Sequence, residues 1–219
     1  MRLNPANGTN GADFLTHEPM RRCENREGAH TERAMELFLD RLDTPIGELL
    51  IVADREGNLR ATQWTDHEES LQWWLGGRYG KLGYRVERAS DRLHITREIA
   101  RYFAGELTAI DELPVKTEGT AFQQEVWREL RRIPCGTTIS YGQLAKRIGR
   151  PSAVRAVGSA NGSNPIGVVV PCHRVIGSDG TLTGYGGGLE RKLWLLRHEG
   201  AIAPQTLFPE IAEPVLRVN

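Results

Sequence analysis

A chain of 219 residues with 39% apolar and 26% charged residues can hold one large or two small packed domains and has the composition of a soluble globular protein. Its 28 Lys and Arg balance 28 Asp and Glu, so no overall positive excess marks a polyanionic partner, and no apolar run reaches the roughly 18 to 20 residues of a membrane span. The start lacks the apolar segment of a secretory signal, and Cys23, Cys135 and Cys172 show neither an even count nor close paired spacing, which argues against a disulfide framework and fits a reducing cytoplasm.

Residues 1–34 are rich in Asn, Gly, Thr, Glu and Arg without apolar periodicity, so a disordered tail is expected there. From Glu36 the pattern turns strand-like. Strands over 36–42, 49–53 and 59–64, separated by turns at 44–47 and 55–58, predict an antiparallel meander. A helix fits 91–104, where Ile95, Ile99, Tyr102 and Phe103 recur at helical spacing and Gly105 takes the C-terminal cap. These elements make a small α/β domain over 35–105, and residues 106–119, broken by Pro114 and Gly119, read as a linker.

A second domain over 120–200 opens with Thr120 and Gln123, a capping-box pair, ahead of an apolar stripe of Phe122, Val126, Leu130 and Ile133 that Pro134-Cys135-Gly136 ends. Ser140 then caps a helix over 141–148, Gly149-Arg150-Pro151 turns the chain, and a second helix runs from about Ser152 to Ala160: helix-turn-helix spacing. Apart from Arg155, nearly all its side chains are small, which suits close approach either to a groove of DNA or to another helix of the protein. This domain holds 11 Lys and Arg against 5 Asp and Glu, a balance of +6 that marks a candidate nucleic-acid face. Residues 201–219 form a C-terminal tail.

The run Val168-Val169-Val170 predicts a buried strand that delivers Pro171-Cys172-His173-Arg174 at its end. A cysteine reacts as a thiolate, which a base or positive surroundings must favour, and His173 and Arg174 adjoin it. In a strand, however, neighbours alternate faces, so the imidazole reaches the sulfur only through a bend or a bridging water. Taken alone, Cys172 better suits a small buried hydrophobe, and the surrounding motif reverses that preference. Glu199, just before Gly200, equally suits a solvated residue at a helix end, although a negative charge there opposes the helix dipole.

The blocks Asn161-Gly162-Ser163-Asn164-Pro165, Pro171-Cys172-His173-Arg174-Val175-Ile176-Gly177, Gly184-Tyr185-Gly186-Gly187-Gly188 and Leu195-Leu196-Arg197-His198-Glu199-Gly200, in that order, resemble the O6-alkylguanine-DNA alkyltransferases, especially their bacterial Ogt-like members. The likeness covers roughly residues 36 to 200. It implies an α+β protein: a ribonuclease-H-like α/β N-terminal domain and a mostly helical C-terminal domain with a winged helix-turn-helix. The implied activity is direct-reversal DNA repair, in which an alkyl group moves irreversibly and once per molecule from O6 of guanine, and from O4 of thymine, in double-stranded DNA to Cys172. The target nucleotide is rotated out of the duplex, because a stacked base oxygen is beyond the reach of a sulfur.

By motif position the resemblance assigns Cys172 as alkyl acceptor, His173 as base acting through a water, Glu199 as the carboxylate that fixes the imidazole tautomer, and Tyr141 as proton donor to the guanine ring. Asn164 becomes the residue holding the active-site strand, and Val175 (through its carbonyl), Tyr185 and Gly186 become pocket residues. Arg155 fills the gap left in the base stack, within a minor-groove helix whose other contact candidates are Ser152, Ala156 and Gly158. No cofactor and no metal are implied: some relatives bind zinc through two cysteines and two histidines, but Cys23 is the only cysteine before residue 135. Mammalian relatives carry proline at the position of Gly167 and serine at that of Gly186, so a less filled pocket is expected. Cys135 reads as a turn-packing residue. The resemblance implies DNA bearing alkylated guanine as the partner, and a monomer in solution that can cluster on DNA is expected. The competing classes are a non-catalytic binder of alkylated DNA and a cysteine hydrolase.

Overall fold

A computed structural model describes residues 34–89 and 94–203. The expected tail lies outside the described residues except for Ala34, as do Cys23 and positions 204–219. The fold is α+β. Strands β1 (Met35–Thr44), β2 (Gly47–Asp54) and β3 (Leu59–Trp64) form the expected antiparallel meander, and β4 (Tyr84–Arg88) joins β1 in parallel to give the order β3-β2-β1-β4. Helix α1 (Glu68–Tyr79) connects β3 to β4; sequence periodicity revealed neither α1 nor β4.

The sheet is buried on both faces, as the unbroken apolar run of β2 requires of an inner strand. Leu50 and Val52 face Leu71, Leu75 and Tyr79 of α1, whereas Leu49, Ile51 and Ala53 face a larger core shared with the C-terminal half. A bulge at Arg60 shifts the register between Val52 and Ala53, so that Leu59, Thr62 and Trp64 all lie toward that shared core. Arg60 itself is buried and paired with Asp54 at 2.7 Å and Glu118 at 3.1 Å.

Helix α2 (His94–Phe103) follows, and Gly105, with φ +105°, closes its end as expected of a glycine there. Residues 106–119 fold back along the outer edge of β3: Leu59 N–H donates to Pro114 O, Lys116 N–H donates to Leu59 O, and Ile110 and Leu113 are buried.

Helix α3 (Ala121–Leu130) carries the predicted capping box, with Thr120 and Gln123 each accepting the other's backbone N–H. It ends at Leu130, four residues before Pro134, because the chain tightens into turns first. Strand β5 (Ile139–Ser140) leads into α4 (Tyr141–Arg147), again capping-boxed by Ser140 and Gln143. A turn through Gly149 (φ +70°) brings α5 (Val154–Gly162) against α3 and α4. That helix starts two residues later than predicted, so Ser152 belongs to the turn. Strand β6 (Val175–Ile176) pairs in parallel with β5, and α6 (Leu189–His198) closes the described chain.

Val168-Val169-Val170 corrects the sequence reading: these residues form turns rather than a strand. Val169 N–H donates to Gly167 O at 2.8 Å, closing a three-residue turn centred on Val168, whose φ is +69°. Three buried valines satisfy their packing inside this loop as well as in a sheet, and for that reason composition misleads here.

Candidate active site

Cys172 opens a short 3-10 turn, Cys172–Arg174, directly after the inverse turn in which its N–H donates to Val170 O at 2.8 Å. The alternation expected of a strand therefore does not apply, and the 3-10 turn places His173 and Arg174 in the core beside Glu199. Cys172 is 7% exposed and belongs to the shared core, as do Val168, Val170, Val175 and Leu195. Asn164 holds the loop before it, donating from Nδ2 to Val170 O at 2.8 Å and Ile166 O at 3.3 Å and accepting Ile166 N–H on Oδ1.

Glu199 is the C-cap residue of α6, with a fully buried side chain, so a solvated role is overturned. Its Oε1 accepts from His173 Nε2 at 2.9 Å, from an Arg174 guanidinium nitrogen at 2.9 Å and from the Tyr102 hydroxyl at 2.8 Å; its Oε2 accepts from Arg174 Nε at 2.8 Å. Arg174 also donates to Ile133 O at 2.6 Å, spanning α6 and the end of the α3 segment. Burial alone would raise the Glu199 carboxyl, but hydrogen bonds and charge from His173 and Arg174 hold it well below the usual carboxylate range. An ionised carboxylate is an acceptor only, so His173 presents Nε2–H to it, and the lone pair resides on Nδ1. That Nδ1 is buried without a hydrogen-bond partner among the described residues. Burial pushes the imidazole down against the pull of Glu199, so the ring is held neutral and basic at one nitrogen. Burial likewise pushes the Cys172 thiol up, opposed by a hydrogen bond with Asn164 and the charge of Lys192.

Lys192, on α6, is fully buried. It donates to Val175 O and Thr183 O, each at 2.7 Å, and burial brings its pKa down to about 8. Val175 O, the carbonyl singled out in the sequence, is thus fixed by an ammonium. Tyr141 heads α4, half-buried, with its hydroxyl 3.5 Å from both Thr183 O and Thr183 Oγ1. The Tyr185 ring meets His173 edge-on with centroids 6.5 Å apart. Gly186 is exposed, and a Cβ there would meet nothing within 4 Å; a Cβ on Gly167 would sit 3.6 Å from both Thr62 Oγ1 and the Tyr185 hydroxyl.

The structure therefore gathers Cys172, His173, Glu199, Asn164 and Val175 around one buried turn, with Tyr141, Tyr185 and Gly186 on the segments flanking it. Arg155 and Ala156 stand apart, exposed on α5, with Ser152 exposed in the turn before it; Gly158 packs toward the Tyr141 ring, 3.8 Å from a Cβ built there. Sequence reasoning missed Tyr102, Lys192, Thr62 and the attachment of Arg174 to Glu199. Tyr102 and Glu199 are 97 positions apart, and no local pattern signals their contact. Cys135, half-buried in its turn, also has Glu199 and Arg174 close enough to act on it, although burial is the main influence raising its thiol. Among the described residues no group of three or more His, Cys, Asp or Glu could hold a metal ion, and no helix is long and apolar enough to cross a membrane.

Comparison with known proteins matches residues 121–201 to the family "6-O-methylguanine DNA methyltransferase, DNA binding domain". The methylated-DNA–protein-cysteine methyltransferase of Shigella flexneri is 51% identical over 166 residues, covering 76% of this chain and 97% of that protein. The protein of the same name from Mycolicibacterium paratuberculosis is 46% identical over 169 residues, covering 76% and 94%. Among solved structures, the O6-methylguanine methyltransferase of Mycobacterium tuberculosis aligns with a TM-score of 0.62 at 39% identity, covering 78% of this chain and 97% of that one. The Mycobacterium tuberculosis OGT in complex with DNA aligns equally well, at 0.62 and 39%, over 78% and 96%. With such likeness across both halves, and a buried cysteine, imidazole and carboxylate assembled where the motifs lie, the chain belongs to the methylated-DNA–protein-cysteine methyltransferase family.

Proposed function

We propose that this protein repairs DNA by direct reversal, taking an alkyl group from O6 of guanine, and from O4 of thymine, in duplex DNA onto Cys172, once per molecule. The observation that carries the assignment is the Cys172-His173 turn packed against Glu199 of α6, whose carboxylate holds one imidazole nitrogen and leaves the other as a base. Both thiol and imidazole rest neutral, so the sulfur is deprotonated as it attacks rather than stored as an exposed thiolate. The thiol proton passes to His173 Nδ1, through a water. The sulfur lone pair then forms the S–C bond, the C–O bond breaks toward the base oxygen, and the Tyr141 hydroxyl supplies a proton to the ring so that a neutral base leaves. Glu199 stabilises the imidazolium that forms.

Asn164 orients the loop, while Val175, Tyr185 and Gly186 frame the pocket for the everted base. Helix α5 enters the minor groove with Arg155 in the vacated stack, and Ser152, Ala156 and Gly158 allow close approach. The small, exposed face of α5 supports this reading. In the same reading the chain divides into a ribonuclease-H-like domain over 35–105, a linker over 106–119 and a winged helix-turn-helix domain over 120–200. It acts as a monomer and can cluster on DNA.

The test is intact-protein mass after mixing with an oligonucleotide carrying O6-methylguanine. One added methyl per molecule, mapped to Cys172 and abolished by Cys172→Ser, is expected. Binding with no mass change would establish a lesion binder instead, and turnover beyond one equivalent would rule out single use.

A further inference from the structure

Thr62 is nearly buried on β3, the edge strand of the N-terminal sheet, and its hydroxyl crosses to the C-terminal half to donate to Gly167 O at 3.0 Å. Its backbone N–H donates to Pro165 O at 2.9 Å, so two bonds from one residue grip the loop that leads to Cys172. The gripped carbonyl also accepts Val169 N–H, the bond that closes the turn around Val168. A β-branched residue at φ +69° is strained and persists only when its surroundings over-determine it. The holding groups are Asn164 on one side and Thr62 on the other. From there the path to the sulfur is short: Val170 N–H donates to Ile166 O, and Val170 O receives both Asn164 Nδ2 and Cys172 N–H.

We infer that Thr62 is a positioning residue for alkyl transfer: its hydroxyl, offered by the opposite half of the molecule, fixes the strained Val168 turn and so sets where the Cys172 sulfur stands. The inference rests on Cys172 being the acceptor. It assigns the N-terminal sheet a part in the chemistry rather than in stability alone, because the side chain acts on a turn four residues from the nucleophile and touches no substrate.

Two variants separate positioning from packing. Thr62→Val keeps the volume and the strand preference but removes the donor; Thr62→Ser keeps the donor but loses a buried methyl. A merely structural role makes Ser the more harmful change, since it leaves a small cavity in a strand. Positioning makes Val the more harmful. The measurement is single-turnover methyl transfer from an O6-methylguanine duplex at saturating DNA, read by intact mass, alongside DNA affinity and melting temperature for each full-length variant. The limiting rate of Thr62→Val should fall about tenfold with unchanged DNA affinity, as expected for a nucleophile displaced by a fraction of an ångström. Thr62→Ser should stay within about twofold of wild type despite the lower melting temperature. Equal rates for Thr62→Val and wild type, or a rate order that follows melting temperature, would overturn the inference. A wild-type chain that gains no methyl on Cys172 would instead overturn the acceptor assignment, and the two failures cannot be confused.

Discussion

Glu199 concentrates the energetic stake of the site in one side chain. Four hydrogen bonds converge on it from Tyr102, His173 and Arg174, inside a region where its side chain and that of Arg174 are almost entirely removed from water. A buried ion pair of this kind contributes little beyond an apolar substitute, but removing one partner strands the other's charge. Glu199→Gln should therefore destabilise the fold by about 3–5 kcal/mol, measured by urea denaturation; a loss below about 1 kcal/mol would show that the network is water-accessible. The pH dependence follows from the same geometry. The unfolded chain protonates its histidines near 6.5, whereas the depressed His173 stays neutral when folded, so acidification through that range favours unfolding. The depressed Glu199 adds a second loss as pH falls below about 4.3. The melting temperature should fall in both ranges, and Glu199→Gln should flatten the lower limb. A variant limb as steep as that of wild type would assign the acid sensitivity to other carboxylates.

At the scale of elements, α5 turns one face of mostly small side chains to solvent. Val157 and Ala160 seat it in the core, while Val154, Arg155, Ala156 and Ser159 face outward. If its role is to enter the groove and hold the stack open, Arg155→Ala should slow repair of duplex DNA at least tenfold. Its reaction with the free modified base should be spared. Equal losses on both substrates, compared by rates of mass gain, would remove the stacking role. The same scale shows what sequence can carry. Helices α3 and α4 were readable to within a few residues because their capping boxes are local chemistry, three positions wide. The Val168 turn was misread because buried valines look alike in a strand and a loop, and what distinguishes them is a positive φ enforced from Asn164 and Thr62. Cys172, His173 and Glu199, the residues proposed as acceptor, base and orienting carboxylate, were named from family motifs, and the structure brings the imidazole and the carboxylate together. Their supports, Tyr102, Lys192 and Thr62, were not, since each contact is made by folding rather than by spacing.

For the whole molecule, zero net charge conceals a basic C-terminal half, yet much of that charge is already engaged. Arg174 and Lys192 are buried, Arg191 binds Asp66 at 2.9 Å, Arg150 binds Glu125 at 3.2 Å, and Arg132 and Arg147 share Glu129. Arg128, Lys146 and Arg155 remain exposed without an ion pair among the described residues. DNA affinity should accordingly weaken with salt along a logarithmic slope of about −3, the value for three neutralised phosphates, rather than the roughly −5 that the formal balance of +6 suggests. Fluorescence anisotropy across a salt series reads this directly. A slope near −5 would mean that the exposed pairs open on binding.

The grip of β3 on the loop before Cys172 bears on when the sulfur becomes usable. A reagent consumed by its first success has no second chance if it fires early, and a newly made chain emerges with its sheet before its acceptor. Because two of the contacts that hold the turn before Cys172 come from the earlier-synthesised sheet, that turn is fully held only once both halves of the chain have come together.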